Sequence, residues 1–279
     1  MSRRPPMPVR LGANLIGLVI FAACAFPVYW MVNTSLLPRR EIRAPEPTWA
    51  PFQGTLDNYR TVLDGGRFFD ALGMSLAVTV GTVLISLVFA FLAALAVSRF
   101  RFPGRKSFIV SLLLIQMIPV EGLFISQYKM LEGFHLLNTV AGLTLVYIAN
   151  VLPFTVWTLR GFVAGVPYEL EEAAMMDGCS RFQAFRKITF PLLAPGLVAT
   201  GVFGFIQAWN EFTLAVVVMT RDDSKTLPVW LASFLDVNRG VDWGGVMAGS
   251  TLIAIPVIIF FLLVQGRMVS GLTAGAVKG

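Results

Sequence analysis

Long apolar runs, separated by short polar segments, set the pattern of this chain. A helix crossing a bilayer needs about 20 mostly apolar residues, roughly twice the length of a barrel strand. Six stretches meet that need: Leu11 to about Val32, Ala71–Val97, Ser107–Tyr128, Leu136–Leu159, about Leu192–Thr220 and Trp243–Gly266. The second carries no charge, whereas Glu121 interrupts the third and Glu211 lies inside the fifth. The pattern predicts an all-α polytopic membrane protein with six transmembrane helices.

Six spans place both termini on one side. With the N-terminus inside, the inner segments carry the larger share of Lys and Arg. The densest cluster (Arg99, Arg101, Arg105, Lys106) falls in a short loop, where the positive-inside rule is strongest. Both termini are therefore expected in the cytoplasm. Arg3, Arg4 and Arg10 before an apolar run, with Phe21-Ala22-Ala23-Cys24, faintly resemble a signal sequence. The run continues through Val32, too long for a signal's apolar core of about 7–15 residues, and is read as a retained helix. The expected organisation is a cytoplasmic N-terminus and first helix (1–33), an extracytoplasmic loop (34–69) with Pro38, Pro45, Pro47 and Pro51, a core of five further helices (70–266) and a cytoplasmic tail (267–279).

Composition agrees. Of 279 residues, 56 % are hydrophobic and only 14 % charged, against about 25 % charged in soluble domains. A soluble enzyme and a disordered chain are both excluded. The net charge of +6 fits cytoplasmic basic loops better than nucleic acid, which is not expected as a partner. The two cysteines, Cys24 in an apolar run and Cys179 in a polar loop, are not expected to pair. No Cys/His metal cluster exists, and the single histidine, His135, sits in a short polar connector.

The most informative segment, PYELEEAAMMDGCSRFQAFRKITFP, runs from Pro167 to Pro191. Pro167 suits a first helical position. Glu169, Glu171 and Glu172 suit the positive end of the helix dipole. Leu170, Ala173, Ala174 and Asp177 share one face. Gly178 can take the left-handed conformation that ends a helix, and Ser180-Arg181-Phe182-Gln183 matches a capping box that starts another. The expectation is a short helix, a glycine corner and a second short helix with an apolar stripe of Phe182, Phe185 and Ile188, ending before the fifth span at Pro191. A helix lying on the membrane surface is one reading. Such helices usually carry basic polar faces, and three glutamates favour docking to a protein instead.

Glu172-Ala173-Ala174, then Gly178, then Ile188 and Pro191 resemble the EAA loop of ABC importer permeases. Ala174-Met175-Met176-Asp177-Gly178, Trp209-Asn210-Glu211, Gln116-Met117-Ile118-Pro119 and the ending Gly271 to Gly279 resemble the carbohydrate, maltose-type branch. With the pattern of Pro27, Trp30 and Ser35, the resemblance covers nearly the whole chain. It implies the type I ABC importer permease fold in a bacterial cytoplasmic membrane. The implied partners are a second homologous permease subunit, a dimer of ABC ATPase subunits that binds ATP and Mg, and an extracytoplasmic solute-binding protein delivering a sugar substrate. No cofactor is expected in this chain. Glu172, Ala173, Ala174, Asp177 and Gly178 would form the coupling helix that docks in the ATPase, and the tail with Gly271, Gly275 and Lys278 would also reach it. Cys179 stands where relatives often have alanine, and Arg39-Arg40 where they often have one lysine.

ATP hydrolysis by the usual route needs G-x-x-x-x-G-K-[ST]. Gly104-Arg105-Lys106-Ser107 is only a partial echo, so energy must come from a partner or an ion gradient and no catalytic residue is assigned. Polar residues within spans usually face a bundle interior or a water path. Gln207, Asn210 and Glu211 share a helix face, Tyr147 and Asn150 lie three apart, and Gln116 precedes the kink-prone Pro119 and Glu121. Amides, hydroxyls and rings suit a sugar; the same groups could instead be helix–helix glue. An ion-coupled secondary transporter using Glu211 or Glu121, or an ABC permease for amino acids or glycerol phosphodiesters, are the alternatives.

Overall fold

The structure, a computed structural model, describes residues 7–65, 67–236 and 240–276. In chain order its helices are α1 (Met7–Ser35), α2 (Arg39–Ile42), α3 (Asp57–Asp64), α4 (Phe68–Arg99), α5 (Arg105–Gln116), a 3-10 turn (Val120–Leu123), α6 (Phe124–Gly133), α7 (Val140–Ala164), α8 (Glu169–Met176), α9 (Arg181–Ala184), a π turn (Phe185–Thr189), α10 (Phe190–Asn210), α11 (Thr213–Val218), α12 (Leu227–Ala232) and α13 (Trp243–Ala276). Among the described residues, five helical segments are long and apolar enough to cross a membrane: Gly12–Ser35, Phe68–Arg99, Val140–Ala164, Arg181–Asn210 and Trp243–Gly266. A sixth candidate, Arg105–Gln116 with Val120–Gly133, is bent by 92°. A two-residue antiparallel pairing of Leu235–Asp236 (β1) with Gly240–Val241 (β2) is a small addition to the all-α expectation.

The chain divides into two compact units, Met1–Phe68 with Leu231–Val257, and Phe69–Trp230 with Ile258–Gly279. In the first, the proline-rich loop is folded onto the end of α1. The buried Asn58 amide donates to the carbonyls of Ser35 (2.9 Å) and Leu37 (2.8 Å). Asn33 donates to the Thr48 carbonyl (2.8 Å), and the Ser35 and Tyr59 hydroxyls meet at 2.7 Å. The Tyr29 hydroxyl donates to the Trp49 carbonyl, and Phe26, Trp30 and Trp49 form one aromatic cluster. Backbone carbonyls left open at a helix end are met here by side-chain amides.

In the second unit α7 and α10 are central. Half of α7's most apolar stretch is buried. A core of Val78, Leu131, Leu143, Val146, Tyr147, Ala208, Leu214 and Val218 fills one end, and Ala90, Ala94, Val156, Leu159, Val163 and Leu193 fill the other. At Gly196 a Cβ would lie 2.5 Å from the Phe162 ring, so this contact requires glycine. Ser75, Thr79, Thr82 and Ser86 fall at i, i+4, i+7 and i+11 of α4 and are all buried, a polar seam of the kind that joins membrane helices. The Ser75 hydroxyl accepts from the Leu227 amide at 2.7 Å.

Five expected elements differ. The third span is not one helix over Ser107–Tyr128: α5 stops at Gln116, because a residue before proline is driven out of the helical region and Pro119 is extended (φ −63°, ψ 125°). The fifth is not continuous to Thr220: α10 ends at Asn210, Glu211 is extended (φ −69°, ψ 125°), and α11 starts anew. The helix after Gly178 does not stop before Pro191. It widens into the π turn and runs on as α10, so Arg181–Asn210 is one span. The tail expected after Gly266 is helical through Ala276; residues 277–279, including Lys278, lie outside the described ones. The fourth span begins at Val140 rather than Leu136, because Thr139 caps it by accepting from the Gly142 amide at 3.0 Å. Before it, His135 (φ 56°) and Asn138 (φ 60°) are left-handed. The Asn138 side-chain oxygen binds the Arg221 amide and the Ser224 hydroxyl, both at 2.9 Å, which fixes the loop after α11.

Candidate functional site

Six of the polar residues singled out within the spans, Glu121, Tyr147, Asn150, Gln207, Asn210 and Glu211, gather at the C-terminal end of α10. A cavity of about 350 Å³ is lined there by Val120, Glu121, Phe124, Tyr147, Asn150, Gln207, Asn210, Glu211 and Phe212, among others. Both broken elements build it. The bend at Pro119 brings Val120, Glu121 and Phe124 to the wall, and the end of α10 brings Glu211 and Phe212. Gln116, at the exposed C-terminal end of α5, is not among the lining residues.

Glu211 organises this end. Its Oε1 accepts from the Leu214 amide (2.7 Å), and its Oε2 from the Ala215 amide (2.9 Å) and the buried Tyr147 hydroxyl (2.6 Å). The carboxylate therefore caps α11, where open N–H groups and the helix dipole favour negative charge, and ties that helix to α7. Both carboxylate oxygens are thus engaged by donors of the protein itself. Asn210 donates to the Ile206 carbonyl of its own helix (2.9 Å). Asn150, Gln207 and Glu121 make no side-chain hydrogen bond among the described residues, so their polar groups stay available to the cavity. The sequence carries little local sign of this break: Asn210 is still helical, not left-handed as a capping Asn would be, and Glu211 falls one residue before the N-cap of α11, Phe212. By its apolar run the segment reads as one continuous helix.

At the other end of α10 lies the glycine corner. Gly178 has φ +90°. The Cys179 amide bonds to the Ala174 carbonyl and the Gly178 amide to the Met175 carbonyl, both at 3.0 Å, the paired pattern of a Schellman ending. Ser180 and Gln183 form the expected reciprocal capping box. Glu172, Ala173, Asp177 and Gly178 are exposed and Ala174 half-buried. Leu170, Met176 and Phe182 expose apolar surface around them. Glu171 turns inward instead, 3.4 Å from Arg99 and accepting from the Thr189 hydroxyl at 2.6 Å. Sequence reading missed this pairing, because residues 99 and 171 come together only through packing. The span Arg181–Asn210 has 30 residues, so about 45 Å of helix lies between the corner and the cavity, more than the thickness of a bilayer's hydrocarbon core.

A helical bundle with a polar cavity at one end of its long helices and an exposed helix corner beyond the other fits an import permease. A bacterial ABC transporter involved in the import of the acidic polysaccharide alginate has the same fold (TM-score 0.79, 24 % identity, 95 % of this chain and 99 % of that chain). Residues 86–273 match the family described as binding-protein-dependent transport system inner membrane component, and the chain belongs to that family. It is a multi-pass inner-membrane protein. It is 48 % identical to the diacetylchitobiose uptake system permease protein DasC of Streptomyces coelicolor, over 97 % of this chain and 98 % of that protein. It is 37 % identical to the trehalose transport system permease protein SugB of Mycobacterium tuberculosis, over 95 % and 96 %.

Proposed function

We propose that this chain is the membrane-spanning permease subunit of an ATP-driven ABC importer that brings a sugar, a mono- or oligosaccharide, into the cytoplasm by alternating access. The observation that carries the reading is the likeness, over almost the full chain, to permeases named for diacetylchitobiose and trehalose uptake. The cavity supports it. Free amides at Asn150 and Gln207 suit hydroxyl groups, and the rings of Phe124 and Phe212 suit the apolar face of a sugar. Tyr147, Asn210 and Glu211 hold the cavity's walls in place, and Gln116 sits at the exposed end of the helix before the bend.

The chain works as a subunit. A second, similar permease completes the passage, and an extracytoplasmic binding protein delivers the solute. Two ATPase copies hold ATP and Mg and dock on the corner formed by Glu172, Ala173, Ala174, Asp177 and Gly178, which places both termini in the cytoplasm. What supports docking is the exposure of Glu172, Ala173, Asp177 and Gly178 together with the hydrogen-bonded turn behind them. Closure of the ATPase dimer moves the corner as a body and opens the bundle outward.

The test is affinity purification of the tagged chain from its native membrane in mild detergent, followed by sugar screening on the binding protein that comes with it. A Walker-A ATPase, a second permease and sugar-stimulated ATP hydrolysis are expected. A stable complex without ATPase, or uptake that survives ATP depletion and collapses with an ionophore, overturns the reading in favour of an ion-coupled transporter.

A further inference from the structure

Of the three glutamates that open α8, only Glu171 is withdrawn from solvent, and what withdraws it comes from two distant parts of the chain. Arg99 is the last residue of α4, and Thr189 the last of the π turn leading into α10. Both charged side chains are largely buried, 18 % exposed for Arg99 and 15 % for Glu171. The same guanidinium donates to the Val166 carbonyl at 3.2 Å and lies 5.5 Å from the centre of the Tyr168 ring. One cation thus grips the turn before α8, α8 itself and the end of the second span. Thr189, wholly buried, ties the same carboxylate to the fifth.

We propose that Arg99, Glu171 and Thr189 form the joint through which movement of the α8 corner reaches α4 and α10. The proposal rests on the docking reading above. Three features fit a joint better than passive glue. The bonds cross between elements instead of lying within one. They converge on the inward-facing Glu171 of α8, while its neighbours Glu172 and Ala173 stay exposed, so a push on the exposed side of this short helix bears on them. The fifth span is attached at a π turn, where the Phe190 amide bonds to the Phe185 carbonyl five residues back. Such wide turns recur at functional sites in helices. Pro191 offers no N–H to close the regular ladder there. The Arg99 Nε is buried with no acceptor among the described residues. A guanidinium carries five donors, so this one can exchange partners as α8 shifts without letting go.

The test uses the whole importer in nanodiscs with its ATPase, second permease and binding protein, in a background with Cys24 and Cys179 replaced by serine. Two quantities are read: sugar moved per ATP hydrolysed, and photo-crosslinking to the ATPase from a benzophenone on Ala173→Cys. Glu171→Gln and Arg99→Gln are expected to keep the crosslink while the transport ratio falls by about fivefold or more, the usual scale for coupling between sites. A wild-type ratio in both single variants overturns the joint and leaves docking standing. Absence of the crosslink in the parent background overturns the docking reading itself. Should the single variants fail to assemble, Arg99→Lys and Thr189→Val decide. A reduced ratio in either supports the joint, and a wild-type ratio in both overturns it.

Discussion

The two ends of α10 are each fastened through a glutamate, and the fastenings differ in kind. Near the glycine corner, Glu171 meets a cation, Arg99, with a hydroxyl and an aromatic ring beside it. At the cavity, Glu211 meets only neutral donors: the Tyr147 hydroxyl and two amides at the start of α11. The difference follows depth. At the edge of the bilayer a guanidinium keeps part of its contact with water, so pairing it costs little. Among the spans a buried arginine is expensive, and the open end of a helix supplies positive potential without a second ion. A carboxylate can therefore be structural deep in the protein with no cationic partner, and a search for opposite charges would overlook it.

The largest expected effect comes from emptying the cavity end. Glu211→Ala leaves a hydroxyl and two backbone amides without acceptors, at about 1–3 kcal/mol for each unmet group. Heated membranes followed by size-exclusion chromatography should show the steepest loss of folded protein in this variant, with Glu211→Gln milder. Gly178→Val comes next. The left-handed conformation costs a residue with a Cβ about 1–2 kcal/mol, and ATP hydrolysis should continue while sugar uptake falls, as read in proteoliposomes. Arg99→Ala should cost about 1–2 kcal/mol, between the values for exposed and fully buried pairs. Raising salt to about 1 M should narrow the gap between wild type and this variant while leaving the Glu211→Ala gap unchanged, because only the pair at the edge is open to screening. Tyr147→Phe, which leaves Glu211 its two amides, should lose about 1 kcal/mol. Arg60→Ala, which breaks the exposed pair with Asp57, should stay within about 0.5 kcal/mol of wild type.

What the sequence disclosed depended on how local the cause was. The corner at Gly178 and the capping box at Ser180 were legible to the residue, because three or four neighbouring side chains determine them. The first, second and sixth spans were legible from hydropathy, with ends that moved by only a few residues. The broken third and fifth spans were not. Apolar composition is the same for a straight helix and for one that stops at Asn210 and restarts at Thr213, and Pro119 showed where a bend falls but not that it reaches 92°. The grouping of Tyr147, Asn150, Gln207, Asn210 and Glu211 around one cavity was suggested by helical spacing, though Glu211 reaches it by leaving the helix rather than by sharing its face. The company of Phe124 and Phe212, and the grip of Arg99 on Glu171, depend on contacts between distant segments that no local pattern records.

The π turn at Phe185–Thr189 has a consequence for insertions and deletions. A helix is a screw with about 100° of rotation per residue, and a wide turn stores one residue of slack in the thread. That slack lets α9 keep the face its capping box requires while α10 keeps the face that carries Gln207 to the cavity. Loss of one residue here would use up that slack and leave a regular helix with both faces in place. A second loss would have no slack to draw on, and either the corner or the cavity wall would then be turned by about 100°, so the length of this short segment, as much as its chemistry, sets which side chains the passage presents.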